Sequence, residues 1–548
     1  MANTSTTDTE TPQSPHHNRC ARAWWIALTS LPAWIVLMPV LVVVFRAWEP
    51  QGDAWARVVE HQLPTYLWQT MLLVTLVTGL AVAFGVPAAW LVSVRDFPGR
   101  RAFEWLLLLP LAMPGFVAAA AYVDVLGRMI PFYLWIRGQF GLEVFLWTQR
   151  IIPWIFAVLV LAATLFPYVF LSCRAVFLRE AAGTLEAARM LGSGGFRTFL
   201  TVAMPLARPA VVAGGSLVAM EAVNDYGVVS YFGLTPLTPG IFRAWGEGNP
   251  AVAMRLAIIL MGIVLFGLAM ERWQRGTKRF AGDPSESWLA RRKLNLAGGL
   301  GAWLVCATPL AIGFAIPCAR MATWAWQARD ILDWKATTTA ATRSFAMAGS
   351  AAALIVAGAV VVVAGWRVTR HPLNRLARRV SVLGYAYPSA LVAVGVGAWI
   401  SSLHGIAPAL ALSASAFGLM TAYFIRYLAV GVQPVSAGFE RLAPELQEAA
   451  RTLGAGPARA LWLIDIRLVW PALLAGATLA FIDVFKELPL TLYLSPFDFE
   501  TLATLAYRLT DESRIPEAAV PGLLLVVCSL LGLIPLTRML RLASRSSS

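Results

Sequence analysis

Four carboxylates in this 548-residue chain lie where a charge is costly. Glu221 and Asp225 fall in the apolar string MEAVNDYGVVSYFG, and Asp483 and Glu487 in FIDVFKELPLTLYL, each acid matching its counterpart at 483 − 221 = 487 − 225 = 262 residues. An ionised side chain inside a bilayer needs a partner or a function. Spaced four apart, the members of each pair are expected on one face of a helix, where they would line a route for a cation. The other reading is a set of buried ion pairs with Lys486 or Arg255 as the bases, and the sequence leaves both open. Asp124 and Arg426, single charges near segment ends, read as snorkelling or structural. No catalytic apparatus accompanies the acids: there is no G-x-x-x-x-G-K-[ST] phosphate loop, no H-E-x-x-H, no nucleophile elbow and no dinucleotide-binding glycine pattern. The five cysteines have neither finger nor C-x-x-C spacing, so no metal site and no cofactor is expected.

Each acidic pair follows a loop that occurs twice. Glu186 to Pro209, EAARMLGSGGFRTFLTVAMPLARP, recurs as Glu448 to Pro471, EAARTLGAGPARALWLIDIRLVWP, again displaced by 448 − 186 = 262 residues. Each copy reads as a short amphipathic helix, a turn and a second helix. Alanine-rich sequence supports the first helix, and Gly192 and Gly454 are suited to the left-handed position that ends it. One such helix could simply lie on a bilayer surface. Two matched copies point instead to one docking surface presented twice.

At these loops the chain resembles the permease subunits of binding-protein-dependent ABC importers, whose E-A-A-x-x-x-G signature is met by Glu186, Ala187, Ala188 and Gly192, and again by Glu448, Ala449, Ala450 and Gly454. The resemblance implies a type I importer fold and a coupling helix that fits a cleft on a separate cytoplasmic ATPase subunit, two copies serving two loops. Beyond the signature, the first copy has Val202, Met204 and Pro205, whereas the second has Ile464, Ile466 and Arg467 and so lacks that proline. The strings MEAVNDYG, KELPLTL and ETLAT are similar to those of fused ferric-iron permeases; thiamine, polyamine, phosphonate and sulfate permeases share much of the layout. The resemblance also implies a periplasmic binding protein that captures and selects the substrate, so the permease needs no strong metal site of its own.

Composition sets the frame for these motifs. With 58% hydrophobic and 14% charged residues and a mean hydropathy of +0.66, the chain reads as an all-α polytopic membrane protein with lipid around it. The net charge of +14 reflects basic loops on one side of the membrane rather than a nucleic-acid partner. About twelve crossings are expected, near 24–45, 67–92, 105–126, 151–173, 211–232 and 252–270, then 296–317, 344–366, 382–402, 406–427, 472–494 and 518–537. Pro110, Pro114 and Pro388 are expected to break or kink theirs. Six crossings per half make the halves parallel repeats. The expected organisation is a disordered tail at 1–22, a first repeat at 23–271 with docking loop 180–209, a basic linker at 272–294, a second repeat at 295–541 with loop 440–471, and a tail at 542–548. The alternation of arginine-rich loops places both docking loops and both termini in the cytoplasm of a bacterial inner-membrane protein. An ion-coupled secondary transporter with parallel repeats would also have membrane carboxylates, but it has no use for two matched docking loops.

This map is tested by thiol labelling of single cysteines. Ser193→Cys and Ala455→Cys should react only from the cytoplasm and Gly138→Cys and Ser513→Cys only from outside; reversal of either group refutes the topology.

Overall fold

A computed structural model describes residues 15–50, 53–179, 190–191, 194–275, 291–369, 371–404, 408–453 and 455–545. The first half comprises α1 (Pro15–Arg46), α2 (Leu63–Val94), α3 (Arg100–Ala112), α4 (Gly115–Arg128), α5 (Ile130–Arg179), α6 (Gly195–Asn224), α7 (Gly227–Tyr231), α8 (Leu237–Gly246) and α9 (Pro250–Arg275). The second repeats the plan with α10 (Leu296–Ala328), α11 (Trp334–Thr369), α12 (Pro372–Ala386), α13 (Ser389–His404), α14 (Pro408–Glu440), α15 (Pro444–Thr452), α16 (Trp470–Phe485), α17 (Pro489–Leu494), α18 (Leu502–Asp511) and α19 (Ile515–Arg545). Two described helices have no described counterpart: Ala54–His61 of the first half, and α15, because Glu186, Ala187, Ala188 and Gly192 of the first loop lie outside the described residues.

Among the described residues, eight helices are long and apolar enough to cross a membrane, and eleven spans result when each of three bent pairs is taken as one. The remaining expected crossing, 406–427, coincides with α14. The helix α1 begins at Pro15, inside the tail expected to be disordered. Prolines place two of the bends: α3 meets α4 at 85° before Gly115, and α12 meets α13 at 110° before Ser389, immediately after Pro114 and Pro388. The third bend, 74° at Val469, separates the second docking loop from α16, whereas α6 runs from its loop into the membrane in one piece. The two loops thus diverge beyond the position where Arg467 stands in place of Pro205.

The halves exchange their first helices. α1 packs on α11, α12 and α13 of the second half as well as on α9 of its own, and α10 on α2, α4 and α5 of the first as well as on α19 of its own. Tyr122 of α4 donates to the carbonyl of Ile312 in α10 at 2.7 Å, and Asp124 binds Arg320 of α10 at 2.8 Å and Arg128 at 2.9 Å, which makes Asp124 a structural charge. The linker returns to the first half before α10 begins: β1 (Arg95–Asp96) pairs in parallel with β2 (Arg292–Lys293).

Within each half the span after the docking loop crosses its neighbour at close range. A Cβ on Gly214 would lie 2.7 Å from Val169 Cα, and the matching Gly476 faces the Gly431 carbonyl at 3.3 Å. Gly214→Leu should therefore cost about 1–3 kcal/mol by overpacking against backbone, read as a lower unfolding temperature in detergent. Gly127→Ala, which meets nothing within 4 Å, is the control and should be neutral.

Candidate functional site

The four acids meet in one cavity of about 150 Å³ between the halves, lined also by Tyr168, Asn224, Tyr385, Arg426, Tyr427 and Lys486. It lies where four spans are interrupted. α3 and α12 end beside it at their proline bends, α6 ends at Asn224, and α16 ends at Phe485.

The last two breaks correct the expectation that each acidic pair shares a helix face. Glu221 and Asp483 are helical, but Asp225 is extended (φ −66°, ψ 129°) and Glu487 lies beyond the end of α16. The reason is local: both outer acids serve the short helix that follows. Asp225 Oδ1 accepts from the amides of Val228 at 2.8 Å and Val229 at 3.4 Å. Glu487 Oε1 accepts from the amide of Leu490 at 3.1 Å, at the matching position. A helix that starts inside a bilayer exposes amides with no water to meet them, and a carboxylate satisfies them while facing the positive end of the helix.

Other breaks are satisfied across elements. Asn224 Oδ1 accepts from the amide of Ser389 at 3.1 Å, joining the halves. Arg426 Nη1 donates to the Tyr387 carbonyl at 2.6 Å, just before Pro388. Arg426 is 4% exposed, so the snorkelling reading fails: it sits between the rings of Tyr385 and Tyr427, 6.0 and 5.9 Å away. Its Nε has no hydrogen-bond partner among the described residues.

The remaining polar contacts bear on the ion-pair reading of the acids. Lys486 binds Asp483 at 3.0 Å, a structural pair as one alternative required. Arg255 takes no part; it donates to the backbone carbonyls of Ala47 and Glu49 at 2.7 and 3.2 Å. Tyr385 donates to Glu221 at 3.0 Å across the halves, and Tyr427 to Glu487 at 2.5 Å. Sequence reasoning missed Tyr385, Tyr427 and Asn224. The proline break at Pro388 was the available signal for Tyr385. Among the described residues, no three His, Cys, Asp or Glu side chains are grouped to hold a metal ion.

On the loop side, α15 carries Glu448, Ala449 and Ala450 as a helix, with Ala449 exposed and Ala450 buried. The amide of Ala455 donates to the Ala450 carbonyl at 2.9 Å, the six-to-one bond that closes a helix end; Gly454 itself lies outside the described residues. Leu191 and Leu453, at matching positions in the two loops, are each 87% exposed. Two large aliphatic side chains held out at equivalent places are suited to a partner surface.

The family model "binding-protein-dependent transport system inner membrane component" matches residues 81–276 and 349–547. The Fe(3+)-transport system permease protein FbpB 2 of Haemophilus influenzae is 25% identical over 517 residues, 92% of this chain and 95% of that protein. The molybdenum transport system permease protein ModB of Escherichia coli is 29% identical over 219 residues, 38% of this chain but 92% of its own length. The sulfate transport system permease protein CysW of Escherichia coli is 27% identical over 200 residues, 36% of this chain and 66% of its own length.

The phenols that hold the acids can be tested individually. Tyr427→Phe leaves Glu487 without a donor to Oε2 and should cost about 1–3 kcal/mol, seen as a lower unfolding temperature in detergent. Tyr385→Phe should cost less, because Glu221 is only half-buried. No shift in either variant would show that the phenols do not hold the acids.

Proposed function

Because the chain belongs to the family of inner-membrane components of binding-protein-dependent transport systems, we propose that its two halves together form the complete translocation path of an ATP-driven importer for iron(III). The observation that carries this reading is the convergence of Glu221, Asp225, Asp483 and Glu487 on one cavity. Four carboxylates against Arg426 and Lys486 give a lining that is formally net negative (−4 + 2 = −2). Such a lining favours a cation and opposes an anion such as sulfate. The near full-length likeness to a Fe(3+) permease supports the same choice.

The chain hydrolyses nothing itself in this reading. A cytoplasmic ATPase docks on the loops at 180–209 and 440–471, one copy on each, with Glu186, Ala187, Ala188 and Gly192 and then Glu448, Ala449, Ala450 and Gly454 forming the coupling helices. The protruding Leu191 and Leu453 support that docking. A periplasmic binding protein delivers the ion on the opposite side, and both termini are cytoplasmic.

Uptake of iron(III) into vesicles containing permease, ATPase and binding protein tests the path. Of the variants Glu221→Gln, Asp225→Asn, Asp483→Asn and Glu487→Gln, at least one in each half should lose about tenfold or more in rate, equivalent to ~1.4 kcal/mol in the barrier, while the ATPase still co-purifies. Normal uptake in all four ends the path hypothesis. Glu186→Lys combined with Glu448→Lys should do the converse, reducing ATPase co-purification while the protein remains inserted; undiminished co-purification would refute the docking assignment.

A further inference from the structure

Beyond the cavity, on the side away from the docking loops, five aromatic rings from both halves close together. Tyr231 in α7 and Tyr493 in α17 occupy matching positions (493 − 231 = 262). Phe242 in α8 and Tyr507 in α18 also match (507 − 242 = 265), in a register confirmed by Arg243 with Arg508 and Glu247 with Glu512. The stacks join opposite halves. Tyr231 lies flat on Tyr507, with centroids 5.0 Å apart and planes at 12°. Tyr493 lies flat on Phe242 at 3.7 Å and 4°. Each half therefore places the tyrosine that follows its membrane break on the ring that the other half carries on its next helix.

Tyr226 fills the centre. Its ring stands edge-on to Phe242 at 5.2 Å and to Tyr493 at 5.7 Å, and tilted against Tyr507 at 6.0 Å. Tyr493 donates to its hydroxyl at 3.0 Å, and Ser230 and Tyr507 are hydrogen-bonded through their hydroxyls at 3.0 Å. Tyr226 also lines the cavity, directly after Asp225.

We infer that Tyr226, Tyr231, Phe242, Tyr493 and Tyr507 are the outer gate of the path, shut in this structure, with Tyr226 as the ring that seals it against the carboxylates. This rests on the reading that the cavity is the path. Because both stacks join opposite halves and exchange under the same pseudo-twofold relation, a separation of the halves breaks both together. A side-chain flip on one half leaves the other stack closed. Opening is thereby tied to relative movement of the halves, the movement that docking loops on both could drive.

The gate is tested in a chain whose native cysteines are replaced, with Thr164→Cys as a reporter in the cavity lining. A membrane-impermeant thiol reagent applied from outside should label it slowly in the parent. Labelling should be about tenfold faster or more in Tyr226→Ala/Tyr493→Ala, which removes several ring pairs. Tyr226→Phe keeps the ring and should stay slow. Tyr231→Leu, which keeps apolar bulk but not the stack, should give an intermediate rate and serves if the double variant fails to insert. Separately, Tyr231→Cys with Tyr507→Cys, bridged by a short reducible bifunctional thiol reagent, should lose uptake and regain it on reduction. Labelling that stays slow in every ring-removing variant, or uptake undiminished by the bridge, overturns the gate. The labelling reads outside access to the cavity without any substrate. If the four amide variants keep normal uptake while labelling still accelerates, the path reading has failed and the closure has not.

Discussion

A helix interrupted inside a bilayer leaves amides and carbonyls that water cannot reach, and the centre of this protein is organised around answering them. Four spans stop beside one cavity, and three of the stops, those of α6, α12 and α16, are met by side chains that also line it. Asp225 and Glu487 receive the amides of the short helices that follow. Asn224 receives an amide from the other half, and Arg426 covers a carbonyl before the proline bend. Asp225 and Glu487 therefore have a structural role whatever passes the cavity. The same carboxylates that hold the broken backbone are those that line the space it opens.

The repeat is close to symmetrical in its acids and not in its bases. At the positions matching Arg426, Tyr427 and Lys486, 262 residues earlier, stand Thr164, Leu165 and Asn224. Both positive charges of the cavity and both of its carboxylate-bonded phenols, Tyr385 and Tyr427, thus come from the second half. A cavity made from two identical halves would carry either no base or a duplicate set. Fusion into one chain lets the lining be tuned on one side only.

Much of this was legible in the sequence, and the failures share a physical cause. The matched acids, the repeated loops and the breaks after Pro114 and Pro388 are local patterns of composition and backbone geometry, and they could be read. The breaks at Asn224 and Phe485 could not be placed, because helical spacing continued through them and the interruption is stabilised by an acid's contact three residues ahead. Arg426 could not be told from a snorkelling charge, because the partner that makes it structural is a carbonyl 39 residues away, exposed by a bend in another helix. Correspondence between the proline bends was hidden as well: Pro388 lies 274 residues after Pro114 rather than 262, the first half carrying 274 − 262 = 12 extra residues before its next span. The crossed aromatic stacks join residues far apart in sequence, for which no local pattern exists.

The exchange of first helices bears on how the molecule is made. α1 is synthesised well before α11, α12 and α13 of the second half, yet it packs against them as well as against α9 of its own half. Until those emerge, a surface that includes the fully buried Val36, which lies against Gly384 of α12, must face lipid. The first half likewise lacks α10 until the linker has been made and β2 has reached β1. Neither half can reach its final packing as an isolated unit during synthesis, so assembly is a late event of the whole chain. A nick in the linker after assembly would leave the two pieces clasped through α1 and α10.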